Sequence, residues 1–505
     1  MLDAVILKVY GAALSGVEAQ RVRHREKEEE RSMTQGTGET LQQLIDRTPD
    51  LVDYLYNDAV APHFSRAAVA KTAPHIPPAY TNWRDEQRAW YETAALLHQS
   101  HHMPELFVEG PDALRLMERL GINSVKNWTI DRAKQFVACT PRGHIIGDCV
   151  AHRLGEQKFE LISGMPVIDW VHYNAETGGY DVKIIKDEPT NLNKTGKRIN
   201  FRFQLEGPKA RKIFDKVVEG DAPEIKFFHT ARVKISGVDV LVLRHGMAGH
   251  TGVELSGPYE DGDKVRSAIL EAGKEFDIVP VGTMAYFSTQ FSDGWMPYPV
   301  AGIFTGEEMR GFREWLSATG WEANTEIGGS FRSPNIEDYY VTPYDLGYGS
   351  IMKFDHDFIG REALENLPIE KRRTKRALVW NREDVARVFA SQFGAGPRYK
   401  SIELPIANYS WNQFDEVRNL AGELVGLSCH AGYLNPEGEL ISHATMNHGQ
   451  DEIGSEVLVT WGEPDGGSRK PHVERHEQTQ IRATVAAAPF SAQVQKLMRS
   501  NTSAM

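Results

Sequence analysis

Apolar residues fall at helical spacing from Gly38 to Arg47 (Leu41, Leu44, Ile45), Pro49 ends that pattern, and a second apolar stretch covers Leu51 to Tyr56. After a turn-rich segment carrying Pro62, Pro74, Pro77 and Pro78, the pattern predicts a longer helix from Asn82 to His98, with Trp83, Trp90, Ala94 and Leu97 near one face. The middle of the chain then alternates short strands and helices. Strands are expected at Glu105–Glu109, Phe136–Thr140, Ile145–Arg153, Phe159–Ser163, Arg202–Glu206, Val253–Ser256 and Val279–Val281. A hairpin about Gly237 joins Arg232–Ser236 to Val238–Arg244. Helices are expected at Pro111–Leu120, Val167–Asn174, Lys209–Glu219 and Gly262–Phe276. Such mixing points to α+β layers rather than one doubly wound sheet.

The texture changes after about Leu367. Arg376–Trp380, Leu424–Tyr433, Ile441–Asn447, Ser455–Trp461 and Gln480–Ala486 read as strands, several of them parted by Gly and Pro turns. A separate C-terminal β-barrel or sandwich follows from that pattern. The expected division is an arm at 1–32, an α+β region at 33–367, a barrel at 368–490 and a tail at 491–505. The arm reading comes from the dense charges between Arg21 and Arg31, which bury almost nothing, so structure is expected to start near Met33. Asp3 precedes the apolar Ala4–Leu7 and Lys8 interrupts it, unlike a signal peptide with its basic start and longer apolar run.

Composition narrows the function. The 505 residues carry a formal charge of -12, and the one dense basic run, Lys371–Arg376, is short, which argues against nucleic-acid binding. Nothing approaches the ~18 apolar residues of a membrane-spanning helix. Cys139, Cys149 and Cys429 are odd in number and lack metal-type spacing, which fits a reducing compartment such as the cytoplasm.

Four clusters carry candidate chemistry. His98–His102 reads as a helix terminus with histidines at the dipole's negative end, or as metal ligands without acidic companions. Gly282–Tyr286 places a tyrosine just beyond an apolar strand, which suits either a core ring with its hydroxyl tied or a functional group. Glu254 is a lone acid in an apolar strand, facing water or holding a ligand's donors. The run Asp293–Tyr298 suits packing or a planar ligand. No dinucleotide, P-loop or Gly-x-Ser-x-Gly motif stands in context. Spacing alone therefore ends at an α+β enzyme of unknown ligand.

A series of motifs goes further. Gln99-Ser100-His101-His102-Met103, Thr140-Pro141-Arg142-Gly143-His144, Gln204-Leu205-Glu206-Gly207-Pro208-Lys209-Ala210, Gly252-Val253-Glu254 and Lys353–Leu364 occur in that order. Together they resemble the aminomethyltransferase (glycine-cleavage T-protein) superfamily, from roughly Asn82 to Pro489. Within it, Leu243–Gly249, Glu326–Phe331 and Asn335–Tyr340 are most similar to tetrahydrofolate-dependent aryl O-demethylases of the syringate and vanillate/3-O-methylgallate type. The resemblance implies folate-binding domains as two interleaved subdomains before the barrel. It also implies tetrahydrofolate as cofactor, a small methoxylated aromatic acid as substrate and no metal. It puts Tyr286 at the catalytic position, Glu254 on the pterin ring, Trp295 near the site, and Gln99 and His102 in the substrate pocket.

Two departures shape the expected substrate. Aminomethyltransferases carry paired acids where this chain reads Gly147-Asp148, which weakens amine chemistry. Vanillate-type enzymes carry a carboxylate-binding arginine about where Gly164 stands, and a pocket tyrosine with no clear match between Ser65 and Ala73. A roomier or differently anchored ring is implied, and syringate leads. The alternatives are a folate-dependent demethylase of an amine or sulfonium, a non-catalytic folate-binding protein, and a metal hydrolase built on His98, His101 and His102. Oligomeric state is not legible.

Overall fold

A computed structural model describes residues 38–58, 75–193, 195–297, 299–407, 409–467 and 473–503. The expected arm at 1–32, the start near Met33 and the loop between Ser65 and Ala73 lie outside these residues.

Two sheets and a barrel organise the chain. The first sheet is antiparallel, in the order β3 (Arg132–Cys139), β4 (Ile145–Gly155), β5 (Lys158–Ser163), β2 (Glu105–Glu109) and β6 (Lys183–Asp187). The second runs β11 (Ile278–Val281), β1 (Ala94–His98), β7 (Asn200–Glu206), β10 (Gly252–Pro258), β9 (Val238–Leu243) and β8 (Thr230–Ile235). β12 (Ile327–Gly328) pairs with β14 (Asn412–Gln413), next to the barrel. The barrel closes as β13 (Thr374–Trp380), β17 (Glu439–Met446), β16 (Leu424–Leu434), β15 (Asp415–Arg418), β18 (Glu456–Trp461) and β19 (Thr479–Ala486). Closure leaves no free sheet edge.

Each sheet has its own apolar layer. The helices Ala113–Leu120 and Met165–Thr177 bury Leu116, Leu120, Ile168 and Val171 with the first sheet. The helices Ala210–Val217 and Gly262–Gly273 bury Ile213, Phe214, Val265 and Ile269 with the second. The barrel is filled by Trp380, Val417, Val459, Trp461 and Ile481.

The expected helix from Asn82 to His98 is shorter than its pattern. The helix spans Trp83–Glu92, Thr93 breaks it at φ -130 and ψ -107, and Ala94–His98 becomes β1. Ala94, Ala95, Leu96 and Leu97 are all buried. A strand buried on both faces reads as a plain apolar run, which periodicity cannot separate from a helix turn. His98 therefore ends a strand, and the helix-terminus reading of the histidines fails. Among the elements that escaped the pattern are β6, the barrel strand β15, and the helices Arg310–Trp315, Ala492–Ser503 and Arg382–Ala390, the last capped by the Asn381 side chain.

The pairing of β1 with β11 decides where chemistry can sit. They run parallel, with Ala94 opposite Ile278 and Leu97 opposite Val281. Parallel strands end at the same sheet edge, so Gln99–Met103 and Gly282–Tyr286 emerge side by side, although His102 and Tyr286 are 184 residues apart in sequence.

Candidate active site

Tyr286 closes the one-turn helix Thr283–Tyr286 that follows β11. Glu86 fixes the start of that turn by accepting the Gly282 N–H at 2.9 Å. The Tyr286 side chain is buried, and its hydroxyl lies 2.8 Å from His102 Nε2. It also reaches Met247 Sδ at 3.5 Å, and the Gln99 amide donates to the same sulfur at 2.6 Å. Burial first, then His101 and Arg198, pushes the His102 imidazole down to about 3, so it is neutral.

Met247 arrives on the loop after β9. The Glu206 carboxyl, buried on β7, organises that loop by accepting the Ala248 N–H at 3.0 Å and the His250 N–H at 2.8 Å. Gly246 is required where the loop doubles back, since a Cβ there would lie 1.9 Å from the His250 carbonyl oxygen.

Register carries the site inward. Leu97 pairs with Gln204 and Gln204 with Glu254, so these residues form one row across the second sheet. Arg202 lies two residues from Gln204 and points to the same face. Its guanidinium donates to Glu254 at 2.5 Å, to Glu105 at 3.1 Å and to Glu160 at 2.8 Å. Glu105 and Glu160 belong to β2 and β5, so one arginine ties the two sheets together. Burial alone would raise the Glu254 carboxyl, but the Arg202 guanidinium holds it below the usual carboxylate range. It is an anion in a dry place.

The surroundings of Glu254 fit a reduced pterin. His152 is buried with neither ring nitrogen bonded, and His245 Nδ1, Gln204 Oε1 and Gln99 Oε1 are buried and unbonded as well. His152, pushed down to about 3 by burial and then Arg202, is neutral. An anionic acceptor beside neutral donors and acceptors matches a ring edge with N–H groups flanking a carbonyl.

Trp295 stands at the first sheet. Its indole N–H donates to Asp148 Oδ2 at 3.0 Å, and Asp293 Oδ1 accepts its backbone N–H at 2.7 Å. The Tyr348 hydroxyl also donates to Asp148 at 3.0 Å, and Gln135 adds a third bond. Gly164 caps the helix Met165–Thr177 and leaves open space beside Asp148.

Of the five residues singled out in the sequence, Tyr286 and His102 bond directly, and Gln99 joins them through Met247. Glu254 shares their sheet, and Trp295 is held by Asp148 of the other. Sequence reasoning missed Met247 and Arg202 as site groups. An arginine inside the buried strand Phe201-Arg202-Phe203 was the available signal, because such a charge demands acids nearby. His101 bonds Thr190, His102 bonds Tyr286, and among the described residues no three His, Cys, Asp or Glu cluster as metal ligands would. Among those residues too, no helix is long and apolar enough to cross a membrane.

Comparison with known proteins places the chain in a family. Residues 61–299 match the family described as the GCVT N-terminal domain. The chain is 43% identical to the syringate O-demethylase of Sphingobium sp. (strain NBRC 103272 / SYK-6), covering 90% of this chain and 96% of that protein. It is 28% identical to the sesamin methylene transferase of Sinomonas sp. (strain No.22), covering 84% and 92%. Among solved structures, aminomethyltransferase T of the glycine cleavage system from Bartonella henselae covers 83% of the chain and 92% of its own length. Its TM-score of 0.56 at 17% identity speaks for the fold alone.

Proposed function

The chain belongs to the aminomethyltransferase family and is a tetrahydrofolate-dependent methyltransferase, and from that premise we propose that it removes a methyl group from syringate, with Tyr286 as proton donor. The observation that carries the reading is the Tyr286 hydroxyl, held between His102 and Met247 at the edge where two parallel strands end.

An aryl methyl ether resists attack because phenolate leaves poorly when the nucleophile is a neutral amine. Tetrahydrofolate supplies that amine when bound. Glu254, with the unbonded ring nitrogens of His152 and His245 beside it, would hold its ring. Alignment of nitrogen, methyl carbon and ether oxygen contributes up to ~7–11 kcal/mol in favourable cases. Tyr286 then meets the charge growing on the ether oxygen. A tyrosine hydroxyl, with an ordinary pKa of about 10, is close in acidity to the departing phenol, so the proton is shared late in the transfer.

Met247 and His102 set up that donation. A thioether only accepts, and weakly. Tyr286 keeps its proton pointed at the sulfur and releases it cheaply to an incoming oxygen. The neutral His102 imidazole, hydrogen-bonded to the tyrosine oxygen, steadies the tyrosinate left behind. Gln99, freed from the same sulfur, presents its amide to the substrate's polar groups.

Syringate is favoured over vanillate and 3-O-methylgallate by two observations. One is the name of the 43%-identical relative. The other is Gly164 itself, which stands about where vanillate-type enzymes carry a carboxylate-binding arginine and so implies a roomier or differently anchored ring. Product analysis with purified protein, tetrahydrofolate and each acid separates the three. Tyr286→Phe is expected to bind folate normally and to lose turnover by ~10²–10⁴-fold. Unchanged turnover would remove the tyrosine from the mechanism.

A further inference from the structure

The chain leaves the barrel at Ala486 and returns to the Met247 loop. There its last helix, Ala492–Ser503, begins just after Pro489, Phe490 and Ser491. Among the described side chains of that helix only Val494 is buried, and it is fully so. One buried valine stabilises a domain only modestly, so the place of its contact matters more than its size.

Val494 lands on Gly249, two residues beyond Met247. Gly249 stands at φ +77, and a Cβ there would lie 2.5 Å from Val494 Cγ1 and 3.3 Å from the Asp293 Cα. The loop is thus pressed between the helix and the turn that leads to Trp295. The terminal segment meets that turn a second time, since a Cβ on Gly294 would lie 2.8 Å from the Pro489 nitrogen. Phe490 packs on the apolar cluster that holds Ala248, Tyr286 and Met247.

The segment is tied to itself. The Gln495 side-chain amide donates to the Pro489 carbonyl at 3.0 Å and to the Phe490 carbonyl at 3.3 Å. The buried Ser491 accepts the Gln495 N–H on its carbonyl at 2.9 Å. From the sheet side, Glu206 holds the N–H groups of Ala248 and His250, and the His250 ring meets Tyr91 with centroids 4.3 Å apart. Gly249 lies between those two anchored residues, and as a glycine it has the widest choice of backbone conformations. Val494 closes the side that Glu206 leaves open.

We propose that the C-terminal helix braces the methyl-transfer site, with Val494 as a positioning residue. It holds Gly249 in place and thereby keeps the Met247 sulfur against the Tyr286 hydroxyl. The proposal rests on the reading of Tyr286 as proton donor.

Substitutions in the full chain test it, read by kcat, KM and melting temperature with tetrahydrofolate and syringate. Val494→Ala opens the contact, and kcat is expected to fall ~3–10-fold while both KM values stay within twofold. Val494→Thr keeps the shape but buries a hydroxyl, so it should lower the melting temperature and leave kcat within twofold. In a Met247→Leu protein, which has no sulfur to misplace, Val494→Ala should change kcat by less than twofold. Val494→Leu overfills the same contact and should lower kcat too, and it carries the test if Val494→Ala does not fold. The ε-methyl NMR signal of Met247, assigned by its loss in Met247→Leu, reads the displacement without turnover. It should move in Val494→Ala and stay in Val494→Thr. An unmoved signal, full kcat in Val494→Ala, or kcat losses that follow melting temperature in both variants would make Val494 a packing residue only. A moved signal in a protein without methyl transfer would instead sink the demethylase reading alone.

Discussion

At the scale of single residues, the chemistry depends on which groups are charged. Glu254 is ionised because Arg202 faces it, whereas His102 and His152 are neutral because burial and then the cationic arginine beside each disfavour their charge. Charge on Glu254 is what a pterin's N–H groups would meet. Glu254→Gln keeps the shape and removes the charge, and a hydrogen bond to a charged group contributes ~1.5–3 kcal/mol. Folate affinity measured by calorimetry is therefore expected to fall by about 10–100-fold. Affinity unchanged within twofold would move the pterin elsewhere. Gln99, His102 and Tyr286 were legible in the sequence by resemblance, but their meeting point at Met247 was not, because a sulfur in a loop carries no pattern.

At the scale of elements, Arg202 is the rivet between two sheets. Three buried carboxyl groups share its guanidinium: Glu105, raised by burial to about 7, Glu160, raised by burial too, and Glu254, which Arg202 holds low. Arg202→Met leaves them unpaired in a dry interior, and breaking a buried pair this way costs about 3–5 kcal/mol. Urea unfolding should show a loss of unfolding free energy of that size, and a loss below about 1 kcal/mol would mean the carboxyl groups are protonated or hydrated. The elements themselves were mostly readable. The hairpin about Gly237, the strands of both sheets and the five barrel strands expected from the sequence all form. β1 was lost inside a helix because its neighbours on both faces, not its own spacing, make it a strand.

At the scale of the whole molecule, buried histidines set the acid limit. His102, His152 and His443 are pushed down to about 3, and His250 and His430 to about 4, chiefly by burial. Their folded values lie below the unfolded value near 6.5, so unfolding takes up protons in acid. The stability this neutrality contributes is fully present above pH ~6.5 and is lost as pH falls toward 4. Each histidine costs up to ~1.4 kcal/mol per pH unit in that window. Melting temperature is expected to drop steadily from pH 7 to pH 5, with several protons taken up per molecule in calorimetry across buffers of different ionisation heat. A flat profile would show that these rings are charged in the folded state.

What the sequence determined by itself was local: strand and helix spacing, the turn glycines, the strand-rich final third, and the ordered motifs that place the chain in its family. Those follow from backbone preferences and short-range packing, which neighbouring residues settle among themselves. Only the tertiary structure decided that the ends of β1 and β11 lie side by side, that a lone arginine collects acids from two sheets, and that Glu254 stays charged while the histidines near it do not. Each of these depends on which distant groups share one water-free space, and the energy of a charge there is set by its neighbours in space and not by its place in the chain.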